Sequence, residues 1–303
     1  MLTFVKDYKE QESLRLSFDA LARETFGISF EKWYQEGYWD GHYIPYSFSD
    51  EGRIVSNVSA NRMTIYIDGI ETHAIQIGTV MTHPDYRRRG LAYELLQKVF
   101  EDFDETAAFY YLAADSDAKP LYKKCDFMDI PVLDNSLKNP ESNSEYNLER
   151  NIVSSKGGVD LLKNQKISLD ALIHWKQNSP IKNSGFEVID DAHILAFYWF
   201  HGFDAYLYTL GSDVVLIAEY SETDKIMVLY DYYHKGSLAI SELIDMLWKQ
   251  NVVDIDEIKI AFDVRGLPIQ VESLADQCSG WMVRKHKAQQ ILPKFCYPKI
   301  SQA

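Results

Sequence analysis

One segment, VMTHPDYRRRGLAYELL at residues 80–96, constrains the fold of this 303-residue chain most strongly. It runs from an apolar, strand-like stretch through three consecutive arginines and a glycine into a helix with apolar residues on one side. The first N–H groups of such a helix have no internal partners and carry the positive end of the helix dipole, so they favour anions. Gly90 and Ala92 let a phosphate approach the backbone, and Arg87, Arg88 and Arg89 add charge. The segment therefore predicts a strand–loop–helix unit that holds a pyrophosphate.

The rest of the chain is acidic, so the arginine cluster is a local feature. There are 45 acidic residues against 31 basic ones, and the formal net charge is −14. A general nucleic-acid binder needs a broad basic face, and one small patch among acids argues against that class. The acidic balance would steer cationic substrates towards the protein, or would serve solubility alone.

Length and composition indicate a globular protein of about two domains. The N-terminus lacks the layout of a signal peptide, and no apolar run approaches the ~18 residues of a membrane span. We therefore expect a cytoplasmic protein with no membrane partner. Cys125, Cys278 and Cys296 form no CxxC pair and the eight histidines show no ligand spacing, so neither a disulfide framework nor a metal site is predicted. A homo-oligomer is compatible with the sequence, which does not fix the oligomeric state.

The first half predicts a mixed arrangement of helices and strands. Helices are expected over residues 8–26, 89–103 and 119–124. Strands are expected from Arg53 with a break near Ala60–Asn61 and a turn at Asp68-Gly69, then over 73–82, 107–114 and 125–133. The segment FEKWYQEGYWDGHYIPYSF at 30–48 sets aromatic rings among Gly37, Gly41 and Pro45, which interrupt regular structure. Those rings either wall a pocket or cap the edge of a core.

A polar stretch over residues 135–158 predicts a domain boundary near residue 150, which gives domains at 1–150 and 151–303. In the second part, helical patterns at 159–177 and 191–200 are followed by three strand-like runs at 204–210, 213–220 and 225–234. A helix at 237–249 and a strand at 255–262 come next. The order of these elements repeats that of residues 63–113, so the second part is interpreted as a diverged structural repeat. Its equivalent of the arginine segment, His234 to Gly236, lacks the arginines, and no cofactor is expected there.

The pattern Val80-x-Thr82-x-Pro84-x-x-Arg87-x-x-Gly90-x-Ala92 resembles the acetyl-coenzyme A signature of the GNAT N-acetyltransferase superfamily. The later run LAADSDAKPLYKKCDF, at residues 112–127, is similar to that superfamily's second signature, with Asp115-x-x-Ala118 and Tyr122 followed by Cys125-Asp126-Phe127. Asp115 stands in place of the usual asparagine and Asp126 in place of the usual glycine. The resemblance covers residues 28–130 and implies an α/β mixed-sheet GNAT fold, followed by a second, GNAT-like α/β domain.

The resemblance implies an acetyl-CoA-dependent N-acetyltransferase acting on a small-molecule amine. The backbone of the strand would pair with the pantetheine arm, and a main-chain N–H there would hold the thioester oxygen. The residues implied in cofactor binding are Val80, Met81, Thr82, Arg87, Arg88, Arg89, Gly90, Leu91, Ala92, Tyr93 and Asp115. Tyr122 would be the general acid that protonates the coenzyme A thiolate, or else a ring packed under the cofactor without a proton role.

The general base and the acceptor are left open by the sequence. The strand position at which some members carry a glutamate is Gln76, which is not a base, and Glu36, Glu71, His73 and the carboxylate of Ala303 are alternatives without a deciding spacing. Trp33, Tyr38, Trp39, Tyr43 and Gln76 are the candidate pocket residues, and a small cationic amine such as a polyamine or aminoglycoside is the candidate acceptor. The alternative function is an inactive GNAT-fold sensor that binds acyl-CoA without turnover.

Overall fold

A computed structural model describes residues 1–130, 133–140, 161–163, 167–182, 185–202, 206–250, 253–267, 269, 272–275 and 280–285. The described helices are α1 (Glu12–Phe26), α2 (Glu31–Gln35), α3 (Leu91–Phe103), α4 (Lys119–Lys123), α5 (Leu169–Asn178), α6 (Ala192–Phe200) and α7 (Ile240–Lys249). None of these helices has the length and apolar character that a membrane crossing requires.

The described strands form two mixed sheets. In spatial order, the first contains β1 (Leu2–Lys6), β2 (Tyr43–Asp50), β3 (Arg53–Ile67), β4 (Ile70–Thr82), β5 (Phe109–Ala113), β15 (Trp281–Lys285) and β6 (Met128–Asp129), with β9 (Phe186–Val188) also paired to β3. The second contains β14 (Glu272–Ala275), β7 (Leu133–Lys138), β13 (Glu257–Ile260), β12 (Ile226–His234), β11 (Val214–Ser221), β10 (Leu207–Leu210) and β8 (Leu161–Lys163).

The long hairpins of the first sheet differ from the predicted pattern. The expected break near Ala60–Asn61 is wrong, because both residues lie in the middle of β3 and pair with β2 on one side and β4 on the other. A strand also spans the segment that Pro45 was expected to interrupt. The turn before β3 lies at Glu51 and Gly52, and the predicted turn at Asp68-Gly69 is observed; all four residues have positive φ, as type I′ hairpins require.

Helix α3 covers the first sheet with the face predicted from its apolar spacing. Leu91, Leu95, Leu96 and Val99 are buried in one cluster with residues of β2 to β5. The strand β4, helix α3 and strand β5 form a crossover in which the two strands are parallel. This crossover fixes the start of α3 beside the end of β4, as the sequence predicts.

The second sheet contains a unit of the same topology. Strands β11 and β12 pair antiparallel, and β12 and β13, which α7 connects, pair parallel. In the first sheet, β3 and β4 likewise pair antiparallel, and β4 and β5, which α3 connects, pair parallel. The predicted strands at 204–210, 213–220, 225–234 and 255–262 correspond to β10 to β13. This shared topology does not by itself establish a duplication, which stays a prediction.

The two sheets exchange strands. β7, which precedes residue 150, lies in the second sheet, whereas β9 and β15 from the later part lie in the first. The predicted boundary near residue 150 falls outside the described residues, and the domain division stays a prediction. A cut at that position would leave strands of each sheet on both sides.

Candidate active site

A bulge in β4 opens the first sheet next to the arginine segment. Asn57 pairs with Met81 whereas Ser59 pairs with Gly78, so Thr79 and Val80 together face the single residue Val58. Thr79 has a φ of 46°, which marks the local distortion. The parallel pairing of β4 with β5 covers only residues 74–76, although β4 continues to Thr82. Among the described strands, none pairs with this last part of β4 on the β5 side, which leaves backbone groups there for an added extended chain.

A chain of buried polar side chains supports the bulge. The Asn57 amide donates to the Thr79 carbonyl at 2.8 Å and to the Ser59 hydroxyl at 2.9 Å. Ser59 donates to the Tyr43 hydroxyl at 2.8 Å, and Tyr43 donates to Thr79 Oγ1 at 2.8 Å. This direction of donation leaves the proton of the Thr79 hydroxyl available to a further acceptor.

The start of α3 has the geometry expected of an anion site. Gly90 is its N-cap with a φ of 80°, and no side chain caps the first turn. A Cβ built on Gly90 would meet nothing within 4 Å, so the space in front of the helix is open. Arg88 also has a positive φ of 61°, which turns the loop tightly before the helix. The residues present therefore fit a pyrophosphate group.

The three arginines are exposed around this helix end. Arg87 Nε donates to the Thr82 carbonyl at 3.0 Å, and Arg89 Nη2 donates to the Asp85 carbonyl at 2.6 Å while its guanidinium lies 4.8 Å from the Tyr86 ring centroid. In the part of the chain that the structure describes, no carboxylate forms an ion pair with them. Their charge is thus held in place by neutral groups and is available to a bound anion.

Tyr122 lies on α4 with its side chain buried in the same cluster as α3. Its ring packs edge-on against Phe127 at 5.9 Å, and its hydroxyl has no hydrogen-bond partner among the described residues. Burial raises the pKa of the phenol well above its usual value, and the Asp115 carboxylate adds to the shift. Tyr122 is therefore protonated at neutral pH, the form that a general acid requires.

The two departures from the family pattern lie on either side of α4, with Asp115 before the helix and Asp126 in the turn after it. Asp126 has a φ of 63°, a conformation that glycine adopts freely and aspartate tolerates. Cys125 is a buried free thiol, and burial raises its pKa to about 11, so it is not a thiolate nucleophile at neutral pH. Asp115 is exposed, and its backbone carbonyl accepts from Ala118 at 3.0 Å.

A cavity of about 220 Å³ lies against the bulge. Its apolar wall consists of Phe26, Ile28, Phe30, Trp33, Ile194 and Phe197. Four polar residues complete it: Tyr43, Asn61, Thr79 and His193. Two of the five predicted pocket residues, Trp33 and Tyr43, therefore line this cavity. The same two rings also belong to a buried aromatic core, so they both wall a pocket and cap the edge of a core.

The other predicted pocket residues lie elsewhere. Tyr38 donates to Asp170 at 3.3 Å and packs against Phe200. Trp39 is buried within the aromatic core, and Gln76 is buried between Asn61 and Tyr111 on the neighbouring strands. None of these three side chains is among the described residues that line the cavity.

The base candidates near the signature are poorly placed. His73 and Glu71 lie six and eight residues before Thr79 on β4, which is about 20 and 26 Å along an extended strand. Glu36 is exposed at the end of α2. Ala303 lies outside the described residues.

The structure adds His193, which the sequence analysis missed. It is 2% exposed at the start of α6, and its backbone carbonyl accepts from Trp33 Nε1 at 2.7 Å. Its Nε2 and both polar side-chain atoms of Asn61 are buried without hydrogen-bond partners among the residues that the structure describes. His193 lies 114 residues beyond Thr79 in the chain, in no motif, so only the tertiary fold brings it to the cavity.

Comparison with known families agrees with this geometry. Residues 5–128 match the family model of the acetyltransferase (GNAT) domain. The matched residues include both sequence signatures, at residues 80–92 and 112–127. Acetyl-CoA is the cofactor that GNAT acetyltransferases use, as the sequence resemblance implied. No match to the sequence is found among the curated proteins.

Solved GNAT structures share the fold along nearly the whole chain. A protein of Enterococcus faecalis V583 described as a probable N-acyltransferase aligns with a TM-score of 0.58 at 13% identity, over 95% of this chain and 74% of that one. Eis1 from Mycobacterium abscessus aligns with a TM-score of 0.60 at 13% identity, over 94% of this chain and 73% of Eis1. A GCN5-related N-acetyltransferase from Kribbella flavida gives 0.56 at 15% identity, over 94% and 71%. At these identities the likeness concerns the fold.

Proposed function

We infer that the protein transfers an acetyl group from acetyl-CoA to a primary amine of a small molecule. The observation that carries this inference is the bulged end of β4, which none of the described strands pairs with on the β5 side, followed by the open, arginine-flanked start of α3 in a segment that matches the GNAT domain. Acetyl-CoA supplies a thioester, and the amine nitrogen forms a bond to the acetyl carbon as the carbon–sulfur bond breaks, giving an N-acetyl amide and a thiolate. The chain must hold the donor, accept the amine proton and protonate the thiolate.

Each of these tasks has a candidate group. The backbone amides from Gly90 to Tyr93 and the side chains of Arg87 to Arg89 would hold the diphosphate. The free edge of β4 at Val80, Met81 and Thr82 would bind the pantetheine arm, with a main-chain N–H polarising the carbonyl oxygen. Tyr122 would give its proton to the sulfur, since its hydroxyl carries no other hydrogen bond among the described residues.

Removing one charge from the arginine segment should weaken donor binding. We expect Arg87→Ala to raise the Kd for coenzyme A about tenfold, the effect of losing one charge-assisted hydrogen bond. Gly90→Glu should raise it about a hundredfold, because the new side chain opposes a positive φ and brings a negative charge to the helix start. Titration calorimetry with coenzyme A measures both.

Arg62→Ala is the matched control, since Arg62 is an exposed arginine on β3 outside this segment. Unchanged affinity in Arg87→Ala and Gly90→Glu would contradict the placement of the cofactor. Release of free thiol from acetyl-CoA with a panel of amines tests turnover. Tight binding with no thiol release for any amine would favour the acyl-CoA sensor instead.

A further inference from the structure

We propose that the cavity beside the β4 bulge is the acceptor pocket, that it takes a primary amine joined to one small apolar or aromatic group, and that His193 accepts the amine proton. This proposal rests on the proposed acetyltransferase function and names the acceptor class and the base. It gives the second half of the chain a direct part in the reaction, since His193 lies in the first turn of α6, the helix that closes the cavity.

The lining of the cavity sets the acceptor class. Its wall is mainly aromatic and aliphatic, and none of the described residues that line it is a carboxylate. A polyamine or an aminoglycoside carries several ammonium groups that need anionic partners when they are buried. A volume of about 220 Å³ is also small for a multi-ring sugar. An amine with one phenyl or short alkyl group matches the cavity in size and polarity.

The polar groups of the cavity are arranged to hold an amine. Both polar atoms of the Asn61 side chain are buried with no hydrogen-bond partner in the described part of the chain, which costs about 1–3 kcal/mol that a ligand hydrogen bond would recover. The Asn61 carbonyl oxygen is an acceptor for the N–H of the amine. The Thr79 hydroxyl, which already accepts from Tyr43, presents its proton as a donor.

His193 has the properties of a base. Burial lowers the pKa of its imidazole below the usual 6.5, so the ring is neutral at pH 7 and can take a proton. Its Nε2 has no partner within the described structure. The titratable groups around it are Asp40 and His42 from the loop before β2, and Asp190 and Asp191 from the loop before α6. Lys176 of α5 neutralises Asp191 across 2.6 Å.

A route to solvent for the proton leads through His42. The His42 and His193 rings stack with centroids 5.2 Å apart, and His42 Nδ1 lies 3.0 Å from the Asp40 carboxylate. One ring nitrogen each of His193 and His42 and a carboxylate oxygen of Asp40 all lie within 4.8 Å of one another. One water molecule can bridge such a separation. The His42 side chain is 40% exposed, so a proton taken up at His193 has an exit.

Amine binding can be measured independently of turnover because Trp33 lines the cavity. Benzylamine and phenethylamine are expected to change the tryptophan fluorescence of the protein saturably, whereas spermidine and kanamycin are not. The same amines are then compared as acceptors by thiol release, with the aromatic amines giving the higher kcat/KM. Preference for spermidine or kanamycin in both assays would overturn the acceptor class.

His193→Gln tests the base, with His174→Gln at an exposed histidine of α5 as the matched control. We expect kcat with phenethylamine to fall about a hundredfold in His193→Gln and not in His174→Gln, with coenzyme A affinity unchanged in both. His42→Gln, at a half-exposed site where misfolding is not at issue, should lower kcat about tenfold. An NMR titration should show an imidazole with a pKa below 6.5 that is absent from His193→Gln, whereas the signal of His234, whose pKa burial also lowers, should remain in that variant.

The outcomes separate this proposal from the proposed function. If coenzyme A binds and amines are acetylated while His193→Gln and His42→Gln keep wild-type kcat, the base assignment is wrong and the acetyltransferase stands. If coenzyme A does not bind and no thiol is released, the proposed function fails. In that case saturable binding of benzylamine would still support the pocket, and its absence would overturn the pocket as well.

Discussion

Replacing Tyr122 with phenylalanine is expected to lower kcat by about 10²–10⁴-fold, the usual contribution of a positioned general acid. The change removes the proton donor while the ring keeps its packing against Phe127 at 5.9 Å. Because the hydroxyl makes no hydrogen bond within the described structure, stability and coenzyme A affinity should change little. Thiol release measures kcat, and calorimetry measures the Kd for coenzyme A.

Tyr66→Phe is the matched control, because Tyr66 lies on β3 with its hydroxyl near the surface and 3.4 Å from Glu71. The loss of kcat in Tyr122→Phe should be smaller with an acetyl donor whose thiol is more acidic, since its thiolate leaves without a proton. Wild-type kcat in Tyr122→Phe would show that the residue only packs beneath the cofactor. If kcat of Tyr122→Phe falls equally with both acetyl donors, the hydroxyl of Tyr122 positions the donor and does not transfer a proton.

The parts of the site that the sequence predicts are those built from local signals. The end of β4, the arginines, Gly90 and the apolar face of α3 lie within residues 80–99, and each contributes through spacing or backbone conformation that neighbouring residues determine. The Asp68-Gly69 turn is predicted for the same reason. These local rules also placed β10 to β13 and α7, whereas residues 161–163, which were expected to be helical, form the strand β8.

The parts that sequence reasoning missed depend on contacts distant in the chain. The sequence predicted a break near Ala60–Asn61, yet β3 continues through both residues because it lies between β2 and β4. His193 gains its role only because α6 packs across the cavity, and no spacing marks it. β15 enters the first sheet from residue 281 onwards, far from its neighbours in sequence.

Lys182→Met is expected to destabilise the protein by about 3–5 kcal/mol, because it removes the ammonium group nearest to the Asp231 and Glu187 carboxylates. Lys182 Nζ lies 2.8 Å from the Asp231 carboxylate and 3.2 Å from that of Glu187, and both Lys182 and Asp231 side chains are less than a tenth exposed. Lys176 joins the same cluster, 4.0 Å from Asp231 and 2.6 Å from Asp191. Denaturant unfolding at pH 7 measures the loss.

The cluster also predicts how this loss depends on pH. Burial alone would raise the pKa of the Asp231 carboxyl, but the ammonium groups of Lys182 and Lys176 outweigh it and hold the pKa below its usual range. A carboxyl with a lowered folded-state pKa contributes stability that is present above its unfolded pKa of about 3.9 and is lost as the pH falls through the folded value. The stability difference between wild type and Lys182→Met should therefore be full at pH 7 and should narrow below about pH 4.

A double variant distinguishes a broken ion pair from lost packing. In Lys182→Met with Asp231→Leu, the unpaired carboxylate is gone, and a large part of the lost stability should return because apolar residues of similar size can replace a buried pair. If the double variant is as unstable as the sum of the two single variants, the residues act independently and the charge cluster is not the cause. Recovery would show that the cluster fixes the position of α5 and of Asp191, the residue that precedes the His193 helix, through charge pairing.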